Sequence, residues 1–199
     1  MMNILRVLTL IVLAGTLAAC GSTPQSDYYM LTANATGVPT GSSPRLGVGP
    51  VTIPDYLETR KIVTNRNAHL LKLAEYDRWA EPLDAGVTRV VAVNLASLMN
   101  TGSVAIFPWR RDSIPEYAVR VAVVQFAAQG KEALLVAEWA ITRPAEGKSL
   151  AGGITQLTAV LAGGEPEHVA AAYSDLLLQF SQQVAEALKE IEAQAGAEA

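Results

Sequence analysis

The sequence predicts an α+β fold: a mixed, mainly antiparallel sheet packed against two principal helices in a single domain. Three observations carry that prediction. Residues 117–126 and 132–142 are long runs of apolar and β-branched side chains separated by Gln129-Gly130-Lys131, a turn between paired strands. Residues 82–99 and 165–192 place apolar side chains at helical spacing, so each helix buries one stripe. The 199 residues, 50% apolar and 17% charged, suffice to bury one core without disulfides or metal and lie far from the composition of disordered chains.

Along the chain, 27–32 (Asp-Tyr-Tyr-Met-Leu-Thr) reads as a first strand and 33–44, rich in Gly, Ser, Thr and Pro, as a loop. Residues 45–53 form a second strand interrupted by Gly47, Gly49 and Pro50. Proline cannot donate to a ladder, which confines this strand to an edge or a bulge. Pro54-Asp55-Tyr56-Leu57 turns the chain, and short strands at 62–64 and 69–74 flank the turn-prone Asn65-Arg66-Asn67 as a hairpin. Helix 82–99 gathers Leu83, Val87, Val90, Val91, Leu95 and Leu98 on one face and stops at Asn100-Thr101-Gly102. A strand at 104–107 precedes Pro108 and the polar stretch 110–115. The two long runs alternate imperfectly, with Val119, Val121 and Val123 opposite Ala122, Val124 and Phe126, which predicts a central place in a sheet covered on both faces. Residues 149–160 add a strand broken by Gly152-Gly153. Glu165-Pro166 opens the last helix, with Val169, Tyr173, Leu176, Phe180, Val184 and Leu188 on its stripe and a length of roughly 40 Å at 1.5 Å per residue.

The chain carries 15 Lys/Arg against 19 Asp/Glu, a formal charge of −4; from Cys20 onward the count is 14 against 19, or −5. Nucleic-acid binding draws most of its affinity from a Lys/Arg stripe, and here only Arg60-Lys61 and Arg110-Arg111 are adjacent cations, so no nucleic-acid partner is expected. The charged fraction is below the usual ~25%, so a partner is expected to cover part of the surface.

Residues 1–6 supply a short positive start, residues 7–17 an apolar core, and Leu17-Ala18-Ala19-Cys20 a bacterial lipobox. The apolar run of 13 residues from Val7 to Ala19 is shorter than the ~20 a bilayer-spanning helix needs, so 1–19 reads as a cleavable signal. An ordinary secretory signal containing a cysteine is the alternative. Cys20 is the only cysteine, and acylation consumes its thiol, leaving diacylglycerol and acyl chains as a covalent membrane anchor with no other cofactor expected. Residues 20–26 are then the acylated cysteine and a short linker. Gly21 to Asp27 forms a polar leash of seven residues, spanning roughly 15 Å as a flexible coil. A domain at 27–194 and a flexible tail at 195–199 complete the organisation.

Enzyme chemistry finds little footing. Gly147-Lys148-Ser149 resembles the end of a phosphate-binding loop, but Thr142 stands where its first glycine belongs and Pro144 occupies the loop. No G-x-S-x-G elbow is present. His69 and His168 stand 99 positions apart without a metal-binding pattern, so no metal is expected. The carboxylate pairs Glu75/Asp77 and Glu81/Asp84 flank Arg78 and read as a solvated ion-pair patch rather than an acid/base couple.

Two stretches stand out, Val51-Thr52-Ile53-Pro54-Asp55-Tyr56-Leu57 and Glu75-Tyr76-Asp77-Arg78-Trp79-Ala80-Glu81-Pro82-Leu83-Asp84. Each sets aromatics beside proline and charge. Residue by residue, this is a turn packed by its own aromatics, with Tyr76 and Trp79 anchoring the entry to a helix that has Pro82 near its first position. Trp, Tyr and Arg are also the side chains that concentrate interface energy, so Tyr56, Leu57, Tyr76, Arg78 and Trp79 are the candidate partner-binding residues.

A lipobox, then Tyr28-Tyr29-Met30-Leu31, then Val51 to Leu57, then Trp79-Ala80-Glu81-Pro82-Leu83 resembles the PqiC family of auxiliary lipoproteins of ABC-type and MCE transport systems. The resemblance extends through Phe107-Pro108-Trp109, the paired strands about Gly130 with Trp139 in the second, and the long C-terminal helix. It implies a protein that is not an enzyme, is anchored in the outer membrane and faces the periplasm. It further implies an MCE-domain partner forming a lipid-conducting tunnel, a role in phospholipid transport and envelope integrity, and an assembly that can be a ring of several copies. Gly21, not aspartate, follows Cys20, which by resemblance to lipoprotein sorting in Gram-negative cells implies the outer membrane. The competing readings are an assembly or chaperone lipoprotein of another envelope system, and a lipid carrier with an acyl pocket between sheet and helices.

Overall fold

The computed structural model describes residues 25–197. The predicted signal, Cys20 and most of the leash lie outside the described residues. The elements are β1 (Asp27–Tyr29), β2 (Leu46–Thr52), a 3₁₀ turn (Asp55–Leu57), β3 (Lys61–Asn67), β4 (Leu70–Trp79), α1 (Leu83–Leu98), β5 (Val104–Ile106), β6 (Tyr117–Gln129), β7 (Glu132–Arg143), β8 (Lys148–Val160) and α2 (Pro166–Ala197). The class is α+β with two helices, as expected. The strands divide into two sheets, however: a five-stranded one in the order β5-β2-β6-β7-β8 and a three-stranded one in the order β1-β4-β3.

The division falls where β2 ends. β2 runs parallel to β6 from Leu46↔Tyr117 to Thr52↔Ala122, with a register shift between Val48 and Val51 that holds Pro50. Of the two positions the sequence allowed, Pro50 takes the bulge and not the edge, since β2 lies between β5 and β6. Past Thr52 the chain leaves the ladder while β6 continues, and β3 packs against it there. β4 runs on to Trp79, so residues 75–79, expected in a turn, are the end of a ten-residue strand. The hairpin turn falls at Ala68-His69, and Asn65-Arg66-Asn67 belongs to β3.

The five-stranded sheet is covered by helices on one face only, contrary to the expectation of two. Leu135, Ala137, Trp139 and Ile141 of β7 are buried beneath the helices beside Val119, Val121 and Phe126 of β6. The opposite face is covered over β2 by Trp109 and Pro115, and opens to solvent over β6 to β8, where Ile154 is 72% exposed. The imperfect alternation of β6 has a local cause: a bulge between Val123 and Gln125 moves Phe126 onto the buried face. β8 is continuous through Gly152-Gly153. A Cβ at Gly152 would lie 2.7 Å from the Trp139 carbonyl oxygen, so glycine there permits the strands to close rather than breaking one. The Trp139 indole N–H donates to Thr155 Oγ1 at 2.9 Å, which satisfies a buried donor.

α1 lies over β2 and β5, and α2 over β7 and β8, with the two helices in mutual contact. Residues 31–40 form an ordered strap across them. The Thr32 N–H donates to Ser174 Oγ at 3.0 Å, the Ala35 N–H to the buried Asn94 Oδ1 at 3.0 Å, and the Thr40 N–H to Asn100 Oδ1 at 2.9 Å. At 32 residues α2 is about 48 Å long, and it continues beyond residue 194 to Ala197, where a tail was expected.

Candidate partner-binding surface

The two sequence stretches singled out above meet in space. Pro54 to Leu57 turn on themselves, the Leu57 N–H donating to the Pro54 carbonyl at 2.8 Å and the Glu58 N–H to Asp55 at 3.0 Å. Just before β3, the Arg60 carbonyl accepts from the Trp79 N–H and the Arg60 guanidinium donates to the Ala80 carbonyl at 2.7 Å. Pro82 occupies the N-cap position of α1 with an extended backbone, and Leu83 is buried one residue on. Between these segments lies a cleft of about 520 Å³. Val51, Ile53, Leu57, Pro82 and Leu83 give it apolar walls, and Glu58, Arg60 and Asp84 bring charge of both signs.

A second recess of about 340 Å³ shares Val51 and Asp84 with the first and runs over the β2 bulge to Ile106 and Phe107. Gly49 makes this passage: its φ of +114° lies in the region that favours glycine, and a Cβ would stand 2.9 Å from the Phe107 Cβ. Phe107 is about half exposed and meets Trp109 edge to face at 5.1 Å. The strip therefore runs from Ile106 and Phe107 at one end to the cleft beside Leu57 at the other. The hydroxyls of Thr52 and Thr59 add polar groups to the cleft wall, and Thr88 adds one to the second recess. Apolar walls with a rim of mixed charge suit the side chains of a partner protein.

The five candidate residues part ways. Tyr56 is 38% exposed and directly precedes Leu57 in the cleft wall. Leu57 is itself buried, so it shapes the cleft rather than projecting from it. Trp79 is 3% exposed and stacks on Tyr173 at 6.1 Å. It belongs to the core, because β4 directs it inward at the seam between the sheets, and it is withdrawn from the partner surface. Tyr76 and Arg78 stand on β4, away from the cleft lining. The Tyr76 hydroxyl donates to Glu75 Oε1 at 3.0 Å, a bond that pushes the phenol above its ordinary range, and Arg78 lies in register between Tyr28 and Lys61. Glu81 has a structural role: Arg89 of α1 donates to both its carboxylate oxygens and to the Leu31 carbonyl at 2.8 Å. Sequence reading missed Ile106, Arg60 and Asp84 as members of the strip. It also missed Phe107, which had entered only through the Phe-Pro-Trp triplet of the family resemblance.

Among the described residues no helix is long and apolar enough to cross a membrane, and no group of three or more His, Cys, Asp or Glu is placed to hold a metal ion.

Comparison with known proteins agrees with this architecture. No curated protein sequence matches the chain. Among solved structures, a protein from Xanthomonas campestris, XCC0632, aligns with a TM-score of 0.69 at 16% identity, covering 87% of this chain and 100% of that one. An uncharacterized protein aligns with a TM-score of 0.67 at 19% identity, covering 83% and 99%. At such identities the likeness is one of fold. The family model for the ABC-type transport auxiliary lipoprotein component matches residues 29–185, from the end of β1 to within α2. This chain accordingly belongs to the family of ABC-type transport auxiliary lipoprotein components, the PqiC-like group its motifs resemble.

Proposed function

We propose that this chain is an outer-membrane-anchored, periplasm-facing lipoprotein subunit of an intermembrane phospholipid transport system, and that the strip from Phe107 to Tyr56 docks its MCE-domain partner. The observation that carries the reading is the convergence of 51–60 and 82–84, segments that overlap the stretches behind the family resemblance, on one surface cleft with apolar walls and a charged rim. The family's transport role supports it, and Cys20 within its lipobox supplies the anchor. The carrier alternative expects an acyl cavity between sheet and helices. That layer is filled by Phe126, Tyr173, Leu176 and Phe180, each less than 2% exposed.

Affinity purification of the acylated chain in mild detergent, with bound proteins and lipids identified by mass spectrometry, tests the proposal. Recovery of an MCE-domain protein with phospholipid is the expected result. Recovery of an outer-membrane barrel or a lipopolysaccharide exporter without an MCE protein would transfer the reading to an assembly factor.

A further inference from the structure

The β3–β4 hairpin carries apolar side chains that the fold leaves uncovered. Leu70, Leu71 and Leu73 are 47%, 36% and 49% exposed at its tip. Successive residues of a strand face opposite ways, so Leu70 lies on one face of the hairpin and Leu71 and Leu73 on the other. A folded partner covers one face of a ribbon, whereas a fluid apolar medium surrounds both. Across 65–73 the charged residues are Arg66 and Lys72, both exposed, with no acid among them in a chain of net charge −4.

The direction in which the anchor leaves the fold is set by β1. That strand is parallel to β4, with Asp27 opposite Asp77 and Tyr29 opposite Trp79. The N-terminal end of β1 therefore faces the same way as the end of β4 that begins at Leu70. Cys20 precedes Asp27 by seven residues, and Leu70 precedes Asp77 by seven. The strand covers about 23 Å over that interval, and the leash reaches at most about 25 Å. β1 thus enters the fold from the side of the hairpin tip, and seven residues are enough for an extended chain to reach the level of Leu70.

We propose that the tip of the β3–β4 hairpin is a second membrane contact: Leu70, Leu71 and Leu73 enter the lipid surface beside the acyl chains of Cys20, while Arg66 and Lys72 meet anionic phospholipid headgroups. The inference rests on the reading of Cys20 as a lipid anchor. Two attachment points fix the domain's orientation, where a leash alone would leave it free to rotate. A two-stranded tip has unpaired backbone groups along its outer edges, so it sits at headgroup depth rather than in the hydrocarbon.

The test uses the acylated full chain in vesicles of phosphatidylethanolamine and phosphatidylglycerol. Acylation consumes the thiol of Cys20, so Leu71→Cys or Leu73→Cys offers one thiol for an environment-sensitive fluorophore, with Ile154→Cys on the open sheet face as reference. Labels at 71 and 73 are expected to shift to the blue, to be quenched by brominated phospholipid, and to show a several-fold lower iodide quenching constant than the label at 154. Labels at 71 and 73 as open to iodide as the one at 154 would overturn the proposal while leaving the anchor intact. So would shielding that persists in detergent and grows with protein concentration, which would place a second copy on the tip. Mass spectrometry of the N-terminal peptide reports the anchor separately; an unmodified Cys20 would overturn that reading and the hairpin's placement with it.

Discussion

The ring of Tyr173 on α2 lies 3.7 Å from that of Phe126 on β6, centroid to centroid, with the planes 14° apart. Trp79 of β4 stacks on the same tyrosine at 6.1 Å, so one side chain of the long helix joins the two sheets. Trp79→Ala should therefore cost about 3–5 kcal/mol, the range for a buried aromatic, and lower the denaturant midpoint. Trp79→Phe should recover much of the loss. A Trp79→Ala chain with an unchanged midpoint would show that the seam between the sheets does not depend on this stack.

Tyr173 also holds a buried hydroxyl with no hydrogen-bond partner among the described residues. Burial pushes its phenol above the ordinary tyrosine range, so the folded state binds this proton more tightly than the unfolded chain. The contribution is complete below the unfolded pKa of about 10 and is lost as pH rises above it. Tyr173→Phe removes a desolvated polar atom and keeps the stack, so it should be neutral or stabilising by about 1 kcal/mol near pH 7. Its advantage over the parent should widen in alkali, which urea unfolding at several pH values measures.

Arg89 links Glu81 to the Leu31 carbonyl, and so ties the entry of α1 to the strap that follows β1. Both charged side chains are about one-third exposed, which discounts the ion pair. Arg89→Ala should cost about 1–2 kcal/mol by denaturant unfolding. Arg89→Lys should restore less than half, because an ammonium lacks the planar fork that serves both acceptors.

Thr155 is the acceptor for the indole of Trp139 beneath the helices. Thr155→Val keeps shape and strands the donor, with an expected loss of about 1–3 kcal/mol. Thr155→Ser keeps the hydroxyl and should lose less. No loss from Thr155→Val beside a clear loss from Thr155→Ser would show that the methyl group matters and the hydrogen bond does not.

Much of this fold was legible because its signals are local. The α1 stripe from Leu83 to Leu95 and the α2 stripe from Val169 to Leu188 are helical periodicities, and Gly130 punctuates a hairpin. What escaped depends on pairing across the chain. The end of β4 reads as a turn because Glu75 to Arg78 are polar, yet Asp77 to Trp79 pair with β1, far upstream in the sequence, and Arg78 pairs with Lys61 of β3. One-sided coverage of the large sheet was hidden by the bulge at Val124, which mixes two faces in one run. At the site, Tyr56 announced itself as an aromatic beside proline and charge, whereas Phe107 was not among the candidates. Trp79 carried the same signal and proved to be core, since an aromatic that anchors a seam and one that meets a partner look alike in sequence. Arg60 and Asp84 were visible only as isolated charges, because their place in the cleft comes from the approach of two distant segments.

The claim at the centre of this account is that the strip between Phe107 and Tyr56 meets the MCE-domain partner, and photo-cross-linking in cells tests it most directly. A photoreactive phenylalanine replaces Tyr56, Phe107 or, as reference, Ile154 on the open sheet face, and adducts are identified by mass spectrometry. The account predicts adducts with an MCE-domain protein from positions 56 and 107 and none from 154. Adducts from 154 alone, or adducts at 56 and 107 with an unrelated envelope protein in their place, would contradict it.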